Sequence, residues 1–179
     1  NPSSGLNTSN GSTVIATPSG TTIYTVQGTS SAGCSSTETV TVNVDPLPVL
    51  SITPAQVICN GDSVALLVNG ASSYSWEPDT SLSTTSGPAA IAKPGITTTY
   101  TVTGTNTTGC SSSASVTITV NPLPILTLSP SQNICLNETV NLNASGASTY
   151  NWSPAAGLSA STGTSVIASP SVTTTYTIV

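Results

Sequence analysis

The chain has 179 residues, 36% of them hydrophobic, and carries one basic residue against six acidic ones, for a formal net charge of −5. This balance excludes nucleic acids and anionic membrane surfaces as partners, because both require clustered Lys and Arg side chains. The hydrophobic content suffices for packed cores of modest size, so a disordered chain is not expected. No apolar run approaches the roughly 20 residues that span a bilayer.

An internal repeat of 76 residues organises the whole chain. Cys34 and Cys110 lie 76 positions apart, and the same offset relates Cys59 to Cys135. Because the offset is constant, no insertion or deletion separates the copies. Three further sets obey it: Trp76 with Trp152, Pro46 with Pro122, and Tyr24 with Tyr100 and Tyr176.

Pro-Leu-Pro tripeptides at 46–48 and 122–124 mark the boundaries between copies. Proline fixes φ and lacks an N–H, so each tripeptide is predicted to be a short, stiff connector. We therefore predict that 1–48 is the C-terminal part of one repeat, 49–124 a complete repeat, and 125–179 the N-terminal part of the next. On this division the parent chain is expected to be longer at both ends.

Strand signals follow one another along the complete copy. The runs have a period of two and end at Gly, Pro or Asn, and none shows a helical stripe. The last two runs are long enough to form a hairpin across 107–109. The predicted strands, in chain order, are 49–53, 64–68, 74–76, 89–92, 97–106 and 111–120.

Six or seven short strands in one copy predict a small all-β sandwich of immunoglobulin-like type, with the copies arranged end to end. Trp76 takes the position of the buried strand-C tryptophan, and Tyr100 begins strand F. Leu66 and Val102 stand where antibody domains place their inter-sheet cysteines, so the core is expected to close by aliphatic packing. Tyr100 is expected to be only partly buried. The predicted core residues are Leu66, Trp76, Tyr100, Val102, Ile118 and Trp152.

Four short motifs carry a resemblance to a known family. They are Ile-Cys-Asn-Gly-Asp-Ser-Val at 58–64, Tyr-Ser-Trp-Glu-Pro at 74–78, Thr-Thr-Thr-Tyr-Thr-Val at 97–102 and Gly-Cys at 109–110. Together they resemble the Ig-like and PKD-like tandem repeats of very large Bacteroidetes cell-surface proteins. These include gliding-motility adhesins that are exported by type IX secretion. The resemblance covers essentially the whole chain and implies an extracellular, filamentous, adhesive role without catalytic residues.

The sequence lacks the residue types that acid–base catalysis and metal binding usually need. It contains no His, and Lys93 is a lone amine. Glu77 and Asp79 are the only acidic residues close together, and Ser153 and Ala155 take their places in the third copy. No Asp-rich calcium loop or close Cys pair is present. We predict a protein that is not an enzyme and has no cofactor and no metal site.

The predicted function is that of a structural stalk or filament segment of a very large cell-surface adhesin, serving gliding motility or surface attachment. Two alternatives stay open: the repeats themselves bind carbohydrate, or the chain is the accessory stalk of a secreted enzyme. Tyr74 and Trp76 lie two residues apart on one strand and therefore face the same side, which we expect to be the core. The expected partners are neighbouring repeats, other copies in a filament, or an extracellular surface or glycan.

Two cysteines per repeat indicate disulfides and an oxidising compartment, with free thiols as the alternative. Two connectivities stay open. Counting suggests a bridge from Cys59 to Cys110, which leaves Cys34 and Cys135 with partners outside the chain. Geometry suggests a bridge between neighbouring repeats, because Cys59 precedes strand B and Cys110 lies at the F–G turn, at the opposite end of the sandwich. Cys59 would then pair near position 186, and Cys110 with a residue before position 1.

Overall fold

The computed structural model describes residues 3–179, and in this range every regular element is a β-strand. The prediction of an all-β chain is thus confirmed. The strands are β1 (Thr22–Thr29), β2 (Ser35–Val42), β3 (Ser51–Ile52), β4 (Gln56–Cys59), β5 (Val64–Asn69), β6 (Ser73–Glu77), β7 (Ala89–Ala92), β8 (Thr98–Thr105), β9 (Ser111–Asn121), β10 (Thr127–Leu128), β11 (Val140–Ser145), β12 (Trp152–Ser153), β13 (Ser165–Ala168) and β14 (Thr177–Ile178).

The chain forms two compact units, one up to Asn121 and one from Pro122 onward. The first unit begins with an antiparallel hairpin of β1 and β2, paired from Thr22 and Val42 at one end to Thr29 and Ser35 at the turn. Within residues 3–179 no helix is long and apolar enough to cross a bilayer.

The rest of the first unit is a sandwich of two sheets. One sheet has the order β3-β5-β7 and the other the order β4-β9-β8-β6. In immunoglobulin nomenclature β5, β6, β7, β8 and β9 are strands B, C, E, F and G, and strand A is divided between β3 in one sheet and β4 in the other. This strand order defines an immunoglobulin-like sandwich, as the alternating pattern predicts.

Alternation of apolar and polar residues positions the core between the sheets. On β5 the buried residues are Val64, Leu66 and Val68, and the alternate residues Ala65, Leu67 and Asn69 are exposed. Tyr100 is completely buried, which corrects the expectation that it is only partly so. Its hydroxyl lies 2.6 Å from the hydroxyl of Ser81 and thus has a partner inside the protein. The largest fully buried side chains include Trp76, Tyr100, Leu66, Ile118 and Val102.

The structure contains one strand, β4, that the sequence pattern did not predict. It runs parallel to β9, with Gln56 opposite Ile118 and Cys59 opposite Asn121. The first expected strand, 49–53, is correspondingly shorter, and only Ser51 and Ile52 pair with β5. The chain therefore crosses from one sheet to the other between β3 and β4, just after Pro54, which cannot donate to a ladder.

The second unit repeats the same local pattern. One sheet has the order β10-β11-β13, and β12 pairs with β14. Trp152 is buried beside Ala144, Tyr150 and Val166. The Trp152 indole donates to Gly163 O at 2.9 Å, as the Trp76 indole donates to Gly87 O at 3.0 Å in the first unit.

Candidate functional site at the repeat junction

The connector at 46–48 lies against the turn between β8 and β9, which we call the F–G turn (residues 106–110). Asn106 donates from Nδ2 to Pro46 O at 3.1 Å, and Ser112 donates from Oγ to Pro48 O at 2.5 Å. Because proline has no N–H, these two positions offer only carbonyl oxygens to a neighbour. The F–G turn and the start of β9 supply the matching donors, so the two surfaces are chemically complementary.

The side chain of Asn106 is oriented by the turn itself. Its Oδ1 accepts hydrogen bonds from Thr108 N at 3.1 Å, Thr108 Oγ1 at 2.8 Å and Cys110 N at 2.9 Å. With the amide oxygen held inward, the amide nitrogen is the group that faces the connector. In the first copy Ser30 takes the place of Asn106, and its Oγ accepts a hydrogen bond from Cys34 N at 3.2 Å.

The residues after the connector are held by two glycines. A Cβ atom on Gly70 would lie 1.9 Å from Val49 O, and one on Gly104 would lie 2.5 Å from a methyl carbon of Leu50. Only glycine allows this close approach, and Gly70 also has φ +104°, in the left-handed region. Hydrogen bonds therefore hold the connector itself, at Pro46 and Pro48. Close packing against the two glycines holds the residues that follow it, Val49 and Leu50.

The two cysteines of the second copy lie at opposite ends of strand β9. Cys110 immediately precedes this 11-residue strand, and Cys59 is paired with its last residue, Asn121. At about 3.3 Å per residue the strand separates them by roughly 35 Å. A disulfide requires Cα atoms about 4.4–6.8 Å apart, so a Cys59–Cys110 bridge within the repeat is excluded.

All four cysteines are free thiols in the described part of the chain. Cys34, Cys59 and Cys135 are exposed, whereas Cys110 is half-buried. The sulfur of Cys110 lies 3.9 Å from Asp45 O, the residue just before the connector. The F–G thiol is therefore part of the junction.

The turn that follows Cys59 recurs in the second unit. Cys59 N donates to the Asp62 carboxylate at 3.1 Å, and Cys135 N donates to the Glu138 carboxylate at 3.1 Å. Both acidic side chains cap the same kind of turn, although one is longer by a methylene group. These carboxylates thus have a local structural role, which is the same whether the residue is Asp or Glu.

Residues considered for other chemistry are dispersed or buried. Glu77 and Asp79 are exposed, and residues 3–179 contain no group of three or more His, Cys, Asp or Glu side chains that could hold a metal ion. Trp76 is 1% exposed and Trp152 is 6% exposed. Tyr74 uses its hydroxyl to bond Ala71, accepting from the backbone N at 2.8 Å and donating to the carbonyl at 2.9 Å. These aromatic side chains are not available as a platform for sugars.

A cleft in the second unit is lined by Leu142, Trp152 and Tyr176, among others. In the first unit the residues 76 positions earlier, Leu66, Trp76 and Tyr100, all belong to the core that contains Ile118 of β9. The lining of the cleft therefore has the character of a sandwich core rather than of a ligand site.

No family model matches the chain, and no curated protein matches it. Among solved structures, the chain is similar to the N-terminal eight Ig domains of Down Syndrome Cell Adhesion Molecule, with 18% identity over 90% of this chain and a TM-score of 0.45. It is also similar to a Ca²⁺-stabilized adhesin that helps an Antarctic bacterium bind ice, with 12% identity over 82% of this chain and a TM-score of 0.35. The chain spans 28% and 48% of the lengths of those two proteins.

The class of protein follows from the chain's own topology. A split strand A, the sheets β3-β5-β7 and β4-β9-β8-β6, and a 76-residue repeat define tandem immunoglobulin-like β-sandwich repeats.

Proposed function

We propose that the chain is a load-bearing segment of an extracellular stalk, built from tandem immunoglobulin-like repeats, in a very large cell-surface adhesin. In line with the motif resemblance, we assign the stalk to the Bacteroidetes type that serves gliding motility or surface attachment and is exported by type IX secretion. Its first partners are the neighbouring repeats of the same chain, arranged end to end. A surface or glycan is contacted elsewhere in the parent protein.

The observation that carries this proposal is the hydrogen-bonded seating of the connector on the F–G turn. A flexible linker would leave the Pro46 and Pro48 carbonyls to water, but here both accept hydrogen bonds from the following repeat. Each net hydrogen bond contributes about 0.5–1.5 kcal/mol, enough to bias the orientation of one repeat relative to the next. Restricted orientation at every junction is what a stalk needs in order to stay extended.

The solvent-facing side of the long hairpin also suits a passive spacer. Thr99 and Thr117 bond through their hydroxyls at 2.8 Å across β8 and β9, and Thr101 and Ser115 do so at 2.9 Å. Such pairs stabilise the sheet and present a neutral, hydrophilic face. Burial of Trp76 and Trp152 argues against the alternative in which the repeats stack on carbohydrate. The accessory stalk of a secreted enzyme would use the same physical properties.

Small-angle X-ray scattering of the full chain tests the stalk. We expect the distance distribution of a rod, and the same profile at low and high salt, because the junction bonds are uncharged. A compact particle would contradict the proposal. Glycan-array binding is the companion experiment: specific, saturable binding to one carbohydrate would favour the binding-module alternative. Antibodies against the chain should label intact cells of the source and lose their target after mild surface proteolysis.

A further inference from the structure

We propose that disulfide bridges link neighbouring repeats, each from the cysteine at the end of β4 in one repeat to the F–G-turn cysteine of the next. The inference rests on the tandem array of the proposed function and adds a covalent element to it. It concerns cysteines of two kinds: the β4 cysteines, Cys59 and Cys135, and the F–G cysteines, Cys34 and Cys110.

The first step is that the same hydrogen bond is present just before the junction in the first and second copies. Val44 N donates to Thr21 Oγ1 at 3.1 Å, and Val120 N donates to Thr97 Oγ1 at 3.0 Å. Both pairs are related by the 76-residue offset. Asp45, which follows Val44, is therefore the counterpart of Asn121.

The second step is that both kinds of cysteine meet this one position. Asn60, the residue after the β4 cysteine, donates from its backbone N to Asn121 O at 2.9 Å. From the other side of a junction, the Cys110 sulfur lies 3.9 Å from the corresponding carbonyl, Asp45 O. In an array, the β4 cysteine of one repeat and the F–G cysteine of the next therefore converge on the same carbonyl oxygen. A disulfide needs Cα atoms about 4.4–6.8 Å apart, a separation that two residues next to one carbonyl group can reach.

The third step is that the β4 thiol is accessible and that a bridge within one repeat is impossible. Cys59 is exposed, and the roughly 35 Å along β9 prevents it from reaching Cys110 of its own repeat. Formation is a thiol–disulfide exchange with a small disulfide oxidant of the extracellular medium. The two protein thiols lose two protons and two electrons to form one S–S bond, while the oxidant's S–S bond is broken and gives two thiols.

The bridges would decide which part of the array carries tension. From each F–G cysteine the backbone runs only 25 positions to the next β4 cysteine, as from Cys110 to Cys135. Force entering by one bridge would leave by another after this segment, which consists of β9, the connector and the start of the next repeat. Strands β5 to β8 lie outside that path. The backbone of each segment is at most about 90 Å long when extended, at 3.3–3.6 Å per residue, and β5 to β8 would carry no tension.

The test uses the full chain with residues 46–121 inserted a second time after Asn121, which creates one complete junction of the proposed kind. Two variants each keep two cysteines, and the others are changed to Ser. The across-junction variant keeps Cys59 of the first copy and Cys110 of the second copy. The within-repeat variant keeps Cys59 and Cys110 of the second copy, so the two proteins differ only in the location of one thiol.

Both variants are equilibrated in a glutathione redox buffer, and free thiols are then counted in denaturant. We expect the across-junction variant to lose both thiols as a monomer, at least tenfold faster than the within-repeat variant. Retention of both thiols in a folded across-junction variant, or equal closure of the two variants, would overturn the inference. Circular dichroism of the reduced proteins verifies folding.

A second measurement on the unmodified 179-residue chain holds even if the duplicated chain misfolds. Alkylation of Cys110 should be several-fold slower than that of Cys34, because Cys110 is half-buried against the residue before the connector, whereas Cys34 is exposed. Equal rates would overturn the junction geometry on which the inference depends. The stalk can exist without bridges, so thiols that stay free in a folded across-junction variant contradict this inference alone, whereas a compact scattering profile of the 179-residue chain contradicts the proposed function.

Discussion

Asn106 donates a hydrogen bond to the carbonyl oxygen of Pro46, a residue 60 positions earlier, at 3.1 Å. Through this bond a side chain in the F–G turn of one repeat holds the connector that enters the same repeat. Its geometry separates two roles within one amide group, since the oxygen organises the turn and the nitrogen binds the connector. Each role can be removed without the other.

We expect Asn106→Asp to release the connector while the turn persists. The carboxylate still accepts the turn's hydrogen bonds but has no donor, and it places a negative charge against Pro46 O. Alkylation of Cys110 should accelerate severalfold. Ser112→Ala, which removes the other bond to the connector, should give a smaller increase. Unchanged rates in both variants would show that these bonds do not hold the connector.

Gly70→Ala should destabilise the first unit far more than Gly61→Ala. Both glycines have positive φ, +104° and +99°, so both substitutions introduce backbone strain of about 1–2 kcal/mol. Only at Gly70 would the new methyl group lie 1.9 Å from a backbone oxygen, while nothing lies within 4 Å at Gly61. Urea denaturation of the two variants measures the difference, and equal midpoints would contradict the close approach of Val49.

Trp76→Ala should lower the stability of the first unit by about 3–5 kcal/mol, the usual cost of deleting a large core aromatic. It also leaves Gly87 O without its indole donor. Trp152 is then the remaining tryptophan and reports on the second unit. We expect circular dichroism to show an earlier transition. An unchanged unfolding midpoint would refute the role of Trp76 in the core.

Tyr100→Phe and Ser81→Ala should each cost about 0.5–1.5 kcal/mol, because each removes one partner of the half-buried hydroxyl pair. Their double variant should cost clearly less than the sum of the two, since the second change removes a group that has already lost its partner. Chemical denaturation of the unmodified protein, the two single variants and the double variant completes this double-mutant cycle. Strict additivity would mean that the two hydroxyls do not interact.

The repeat and the alternating pattern predicted most of the sandwich. The run from 64 to 68 placed Leu66 inward, and the run from 111 to 120 placed Ile118 inward, because a period of two leaves one face for the core. Trp76 stood out as a large aromatic within a short strand. These features are local in sequence, so no knowledge of the partner strand was needed.

Strand β4 and the burial of Tyr100 needed the structure. Four residues from Gln56 to Cys59 are too few for a clear period, and their pairing with β9 joins positions about 60 residues apart. The Tyr100 hydroxyl can be buried only because Ser81 comes within 2.6 Å of it. Pairing between segments so far apart in the chain cannot be predicted from the residues of either segment.

The sequence by itself determined that the chain repeats every 76 residues, and that the complete copy is an all-β sandwich with two cysteines. The tertiary structure decided where those cysteines lie. Cys59 adjoins the last residue of β9, and Cys110 lies beyond its first residue, against Asp45. The reason is physical: strand pairing fixes which residues share an end of the sandwich, and pairing depends on contacts between segments far apart in the chain.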